Sequence, residues 1–149
     1  LHTNDAATTF PRLNDMSVEP YLIASSINVV IAQRLVRKIC NNCRVSHELD
    51  LTKVSANVKH AFGGKDTVKA YQGKGCSVCH DTGYVGRIGI FEVMPVSDEI
   101  KEAITHKKTA EEIQQLAIKL GMLTMLQDGA DKIKQGATTL EEVLRVTKD

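Results

Sequence analysis

The sequence predicts an α+β chain, on three observations. Two runs rich in β-branched residues read as strands, capped amphipathic segments close the chain, and two Cys-x-x-Cys pairs lie between the strands. At 149 residues with 42% hydrophobic side chains the chain has about one domain's worth of core. That core must be mostly aliphatic, because Trp is absent and aromatics make up 4%. The 19 basic and 18 acidic residues leave a net charge of +1, so there is no global pull toward nucleic acid or an anionic membrane, and no nucleic-acid partner is expected. The longest apolar-rich stretch, Tyr21 to Ile39, is broken by Ser25, Ser26, Asn28, Gln33 and Arg34. A membrane-spanning helix needs about 20 mostly apolar residues, so none is expected. No basic segment followed by an apolar run opens the chain, which argues against a secretion signal. A chain opening on Leu1 rather than Met is expected to be a piece of something longer.

Up to about Ile39 the pattern is a helix leading into a strand. Pro20 suits a first helical turn, and Leu22, Ile23 and Ile27 follow near helical spacing. Asn28 to Val36 is rich in Val and Ile and reads as a strand. Between Cys40 and Cys79 periodicity is weak, and Gly63-Gly64-Lys65-Asp66 is loop-like. It is not a phosphate-binding loop, because Lys59 and Asp66 stand where that motif needs Gly and Ser or Thr. Gly83 to Met94 reads as a strand entered through a turn. Ser97 caps a short helix with Asp98 and Glu99 in its first turn. Thr109-Ala110-Glu111-Glu112 is a capping box, opening a helix with Ile113, Leu116, Ala117 and Leu120 on one face and Gly121 at its end. A further segment carries Leu123, Leu126, Ala130 and Ile133 and stops near Gly136. Thr139-Leu140-Glu141-Glu142 is a second capping box, before a last helix with Leu140, Val143, Leu144 and Val146.

Cys40, Cys43, Cys76 and Cys79 fall as two pairs with 32 residues between them. Two thiolates two residues apart both reach one ion across a tight turn, and a second pair completes a tetrahedron about zinc. Four thiolates leave no open position for water, so the site is structural rather than catalytic. The spacer exceeds the ~15–20 residues of a compact ribbon and implies an inserted excursion. Rival readings are two disulfides, one redox-active pair, c-type haem attachment at Cys76-Ser77-Val78-Cys79-His80, and a Cys3His site using His80. Haem attachment predicts export and an aromatic-rich pocket, neither of which the sequence supplies. His80 is expected outside the ligand set, and His47, His60 and His106 carry no motif and are expected to be solvated. Arg34, Arg37, Lys38 and Arg44 form a local basic cluster, read as solvated surface or as a face toward a neighbouring subunit.

Leu1-His2-Thr3-Asn4-Asp5-Ala6 resembles the histidine box of the ATPases that drive type II secretion and type IV pilus assembly. Val18 to Ser26, Ile31 to Arg37, Gly83 to Glu92, Gly121 to Met125 and Thr138 to Val146 are similar to later segments of that family. The resemblance weakens only between about Asp50 and Ala70. It implies a hexameric cytoplasmic motor at the inner-membrane face, working with ATP and Mg²⁺ on a platform protein. It also implies that residues 1–39 end a RecA-like P-loop core, with an inserted zinc module at 40–79. Residues 80–96 would return to the core, and 97–149 would form a helical subdomain. The two predicted strands would be neighbours. In the intact motor His2 would lie near the terminal phosphate of the nucleotide, whereas at a frayed terminus it would be merely exposed. The phosphate-binding loop and acidic metal-positioning strand are expected upstream of Leu1, so this chain alone is expected not to hydrolyse ATP, and to be monomeric. The alternative is a zinc ribbon that binds nucleic acid or protein through the basic residues flanking Cys40 and Cys43.

Overall fold

A computed structural model describes residues 3–147. His2 therefore lies outside the described residues. Among them are seven α-helices and four strands, the strands forming two two-stranded sheets, so the chain is a small α+β fold. No described helix is long and apolar enough to cross a membrane.

Strands β1 (Val29–Ile39) and β4 (Tyr84–Pro95) form one sheet, and β2 (Arg44–Asp50) and β3 (Thr67–Gly73) form the other. Asn28 accepts from the Val96 amide, and Gly83 accepts from the Cys40 amide, each at 2.9 Å. The start of β1 thus meets the end of β4, and the end of β1 meets the start of β4, so the two run antiparallel. The chain divides into two compact units, whose boundary falls within this sheet, at Gln33/Arg34 and at Ile90/Phe91.

The first unit comprises residues 3–33 with Phe91–Met125. It holds α1 (Thr9–Asp15), α2 (Pro20–Ser26), α4 (Asp98–Thr105) and α5 (Ala110–Lys119). The segment expected to hold one helix before the strand holds two, because Ser17, with a left-handed φ of 64°, turns the chain between them. Pro20 occupies the first turn of α2, but that helix buries Ile23 and Ala24 while Leu22 stays exposed. With seven residues, α2 has room for one narrow stripe, which packs on α4. Phe10, Ile23, Met94, Ile100, Ile104 and Ile113 are buried here. The Ser97 hydroxyl accepts from the Ile100 amide. The Thr109 box is reciprocal: Thr109 Oγ1 accepts from the Glu112 amide at 3.2 Å, and the Glu112 carboxylate accepts from the Thr109 amide at 2.9 Å.

The second unit comprises Arg34–Ile90 with residues 126–147. It shows the largest departure from the sequence reading. The stretch after Cys43, where the sequence shows only weak periodicity, contains β2, α3 (Ala56–Ala61) and β3, with the loop-like Gly63 to Asp66 between the last two. β2 and β3 are antiparallel, with Arg44 opposite Gly73 and Asp50 opposite Thr67. β2 does alternate: Val45, His47 and Leu49 are half-buried while Ser46, Glu48 and Asp50 are exposed. A histidine on the inward side, rather than a third aliphatic residue, hides that period of two. His47 is accordingly half-buried, with an Nδ1 that has no partner among the described residues, whereas His60 and His106 are exposed. Helix α6 (Met125–Lys134) follows an exposed Leu123 and ends before Gly136, and α7 (Leu140–Thr147) closes the described chain. Gly136 has φ +74°, and a Cβ there would sit 2.8 Å from the Tyr71 ring. Helix termination and close packing thus require the same glycine.

Candidate metal centre

Each cysteine pair sits on a turn made for it by neighbouring backbone. Cys40 directly follows β1, where its amide bonds Gly83, and Asn41-Asn42 turn the chain so that Cys43 precedes β2. The second pair flanks a single 3-10 turn (Ser77–Cys79), beyond which His80 and Asp81 adopt left-handed φ of 50° and 60°. The Lys74 amide donates to the Cys43 carbonyl at 3.1 Å, tying the two turns together. Gly73 and Gly83 meet backbone to backbone, since a Cβ on Gly73 would lie 2.1 Å from the Gly83 oxygen. Only glycine permits that approach.

The four sulfur atoms lie within 4.8 Å of one another. Cys40 and Cys76 are 3.9 Å apart, Cys43 and Cys79 3.8 Å, and Cys76 and Cys79 3.7 Å. A disulfide requires about 2.05 Å, so these are free thiols. A tetrahedron of sulfurs about 2.3 Å from zinc has edges of about 3.8 Å. The separations match that edge. Amide donors converge on the sulfurs: Cys79 Sγ accepts from the Cys76 and Gly83 amides at 3.2 and 3.3 Å, and Cys76 Sγ from Asn42 Nδ2 at 3.3 Å. The Asn42 bond holds the Cys76 thiol down to about 6, while burial pushes Cys43 up to about 11. Four thiols packed this closely become four thiolates only with a cation among them. The four cysteines can hold a metal such as zinc. His80 is exposed, and no His joins the cluster among the described residues.

Two buried carboxylates organise the surroundings. Glu142 was expected to close a second capping box. Its amide does donate to Thr139 Oγ1 at 3.4 Å, but its carboxylate goes elsewhere. It accepts from the Arg37 amide at 2.8 Å and Arg37 Nη2 at 2.7 Å, and from Arg145 Nε and Nη2 at 3.1 and 2.9 Å. The box is therefore half-formed, because two guanidiniums outcompete one backbone amide for the carboxylate. Arg145 and Arg37 hold its carboxyl down to about 2. Arg37 also lies 4.2 Å from the centroid of the Tyr84 ring, and Arg44 donates to the Gly136 carbonyl at 3.3 Å. Two members of the basic cluster are thus engaged inside this unit.

In the first unit Glu92, 2% exposed, accepts from the Ala6 amide at 3.0 Å and the Met125 amide at 3.3 Å. Burial raises its carboxyl, against the pull of those two amides. Glu92 thereby fastens the segment after His2 to the start of α6. Sequence reasoning missed this role, although a lone Glu within Ile88-Gly89-Ile90-Phe91-Glu92-Val93-Met94 was the signal.

Comparison with known proteins decides the family. The profile described as "Type II/IV secretion system protein" matches residues 1–145. The chain belongs to that family. It is 43% identical, over 99% of its length, to the type IV pilus assembly ATPase PilB of Thermus thermophilus, of which it covers 16%. It is 42% identical over its whole length to the type II secretion system protein HxcR of Pseudomonas aeruginosa, covering 28% of it. To the type II secretion system ATPase E of Vibrio cholerae it is 40% identical over its whole length, covering 29%. The chain thus spans less than a third of each of these relatives. Members of the secretion and pilus branches match it about equally well.

Proposed function

We propose that this chain is the C-terminal segment of a hexameric cytoplasmic ATPase powering type II secretion or type IV pilus assembly. The match of residues 1–145 to the family profile carries this reading. Residues 1–39 and 80–96 would end a RecA-like core. The two-stranded pairing of β1 with β4 suits strands that continue into a larger sheet, and their exposed Val29, Ile31, Phe91 and Val93 suit a sheet face covered by another layer. Residues 40–79 would be an inserted module and 97–149 a helical subdomain. In the intact motor, ATP and Mg²⁺ would bind elsewhere and His2 would lie near the nucleotide. An inner-membrane platform protein would receive the work. Reading the coding sequence upstream of the Leu1 codon tests this: a phosphate-binding loop supports it, and an unrelated or absent reading frame overturns it.

Cys40, Cys43, Cys76 and Cys79 would hold one structural Zn²⁺, which supplies cross-linking of two turns and no open coordination position. The chain's own residues do the rest. Asn42 and the Cys76 and Gly83 amides stabilise thiolate sulfur, and the Lys74–Cys43 bond sets one turn against the other. Chemistry on ATP is not assigned to these residues, so the purified chain should show no turnover. Elemental analysis of the reduced protein should find about one zinc per chain, lost on substituting Cys40 by Ser. Zinc-free protein that is equally ordered would reject the site without touching the family assignment. The ribbon alternative is disfavoured by the balance of 19 basic against 18 acidic residues and by an aromatic content of 4%, which leaves few rings for base stacking.

A further inference from the structure

We propose that the cleft beside Glu142 binds a tetrahedral oxyanion of the phosphate-ester or pyrophosphate class. The cleft measures about 610 Å³, and Leu35, Arg37, Thr82, Tyr84, Arg87 and Arg145 line it. Its three guanidiniums come from different elements: Arg37 from β1, Arg87 from β4 and Arg145 from α7.

Glu142 orders two of them from beneath. Its side chain is 1% exposed, yet those of Arg37 and Arg145 are 50% and 54% exposed. Their inner N–H groups are spent on the carboxylate: Nη2 of Arg37, and Nε and Nη2 of Arg145. A guanidinium has five N–H donors, so the outer edge of each is left for a ligand in an orientation already fixed. The Tyr84 ring holds Arg37 from one side, and the Tyr84 hydroxyl is itself engaged with Thr139 at 3.0 Å. Arg87 has no ion-pair partner among the described residues.

The charges do not balance. Three guanidiniums outnumber the two carboxylates that act on them, Glu142 beneath and Glu141 on α7, so the cleft keeps a positive excess, and Arg37 and Arg145 repel each other. Holding Arg37 and Arg145 on one buried carboxylate beside Arg87 is repulsion that an incoming anion relieves. Preformed arginine forks match tetrahedral oxyanions, whose several oxygens accept from several forks at once. A planar carboxylate such as acetate offers two oxygens and engages fewer arms. This inference rests on neither the metal nor the motor reading.

The test titrates the reduced, zinc-loaded chain with pyrophosphate, inorganic phosphate, methyl phosphate and acetate at constant ionic strength, followed by amide and arginine side-chain resonances. Saturable shifts at Tyr84, Arg87 and Arg145 are expected from the phosphates, with acetate much weaker. The order of inorganic against methyl phosphate tells whether free or esterified phosphate fits better, and either order supports the site. R87A should weaken pyrophosphate binding about tenfold or more, and R87K, which keeps charge but loses the fork, should fall between. Acetate binding as well as pyrophosphate, no saturation by pyrophosphate, or unchanged affinity in R87A would overturn the proposal. Arg87 is exposed, and circular dichroism of R87A checks that the fold is kept.

Discussion

Glu142→Gln removes one charge from a carboxylate that accepts four hydrogen bonds from two arginines. The magnitude follows from its proton affinity. Holding the carboxyl at about 2 instead of an ordinary 4.5 corresponds to ~3 kcal/mol, at about 1.4 kcal/mol per tenfold change in affinity. Both arginines are half exposed, so solvent screens part of this. We expect ~1.5–2 kcal/mol at pH 7. The sign is set by depression of the native value: the stabilisation is complete above about 4.5 and vanishes as pH falls through about 2. Denaturant unfolding of wild-type and E142Q, followed by circular dichroism from pH 7 down to pH 2, measures it. Thiols re-protonate and release metal from both proteins in acid, so the difference between them is the informative quantity. That difference should shrink steadily below about pH 4.5. A gap that is the same at pH 7 and pH 2.5 would mean that Glu142 acts through shape and not charge, and the electrostatic argument fails.

Three further outcomes are expected. Chelation, or Cys40→Ser, should open residues 40–79 to proteolysis while amides of Ile100 and Ile113 in the other unit keep their protection from exchange; unchanged cleavage would show that the fold does not need the metal. Gly73→Ala drives a Cβ to 2.1 Å from the Gly83 oxygen, so it should cost on the order of 3 kcal/mol and weaken zinc retention, and a variant as stable as wild type would disprove the close approach. Glu92→Gln leaves one acceptor for two buried amides. It should lose ~1–3 kcal/mol and speed exchange at Ala6 and Met125, so unaltered exchange at both would remove Glu92 from its fastening role.

What could be read in the sequence depended on whether a signal was local. Capping at Ser97 and Thr109 is written within four residues, and both caps form. The four cysteines announce themselves by spacing, and their sulfurs converge. β2 and β3 escaped notice because half-buried strands with an inward His47 lack a continuous apolar stripe. The Thr139 box shows the opposite error. Its pattern is the same as that of Thr109, but Arg37 lies 105 residues from Glu142 in sequence, and no local rule reports that competitor. Glu92, 86 residues from Ala6, was hidden for the same reason.

These long-range polar links share a physical logic. An aliphatic core with few aromatic rings gains free energy on burial but discriminates weakly between nearby registers, because the hydrophobic effect has no direction. Hydrogen bonds to a buried carboxylate do have direction. Glu92 accepts from two amides and Glu142 from four donors, so sliding β4 or α7 by one residue would strand charged oxygens away from water. The cysteine cluster adds the same demand across 36 residues. Within each unit, then, the aliphatic residues supply most of the stability and a handful of polar atoms choose the register. Substitutions at Glu92, Glu142 or the cysteines should therefore broaden the native ensemble as well as lower its stability. Conservative aliphatic changes at Ile39 or Ile133 should lower stability alone.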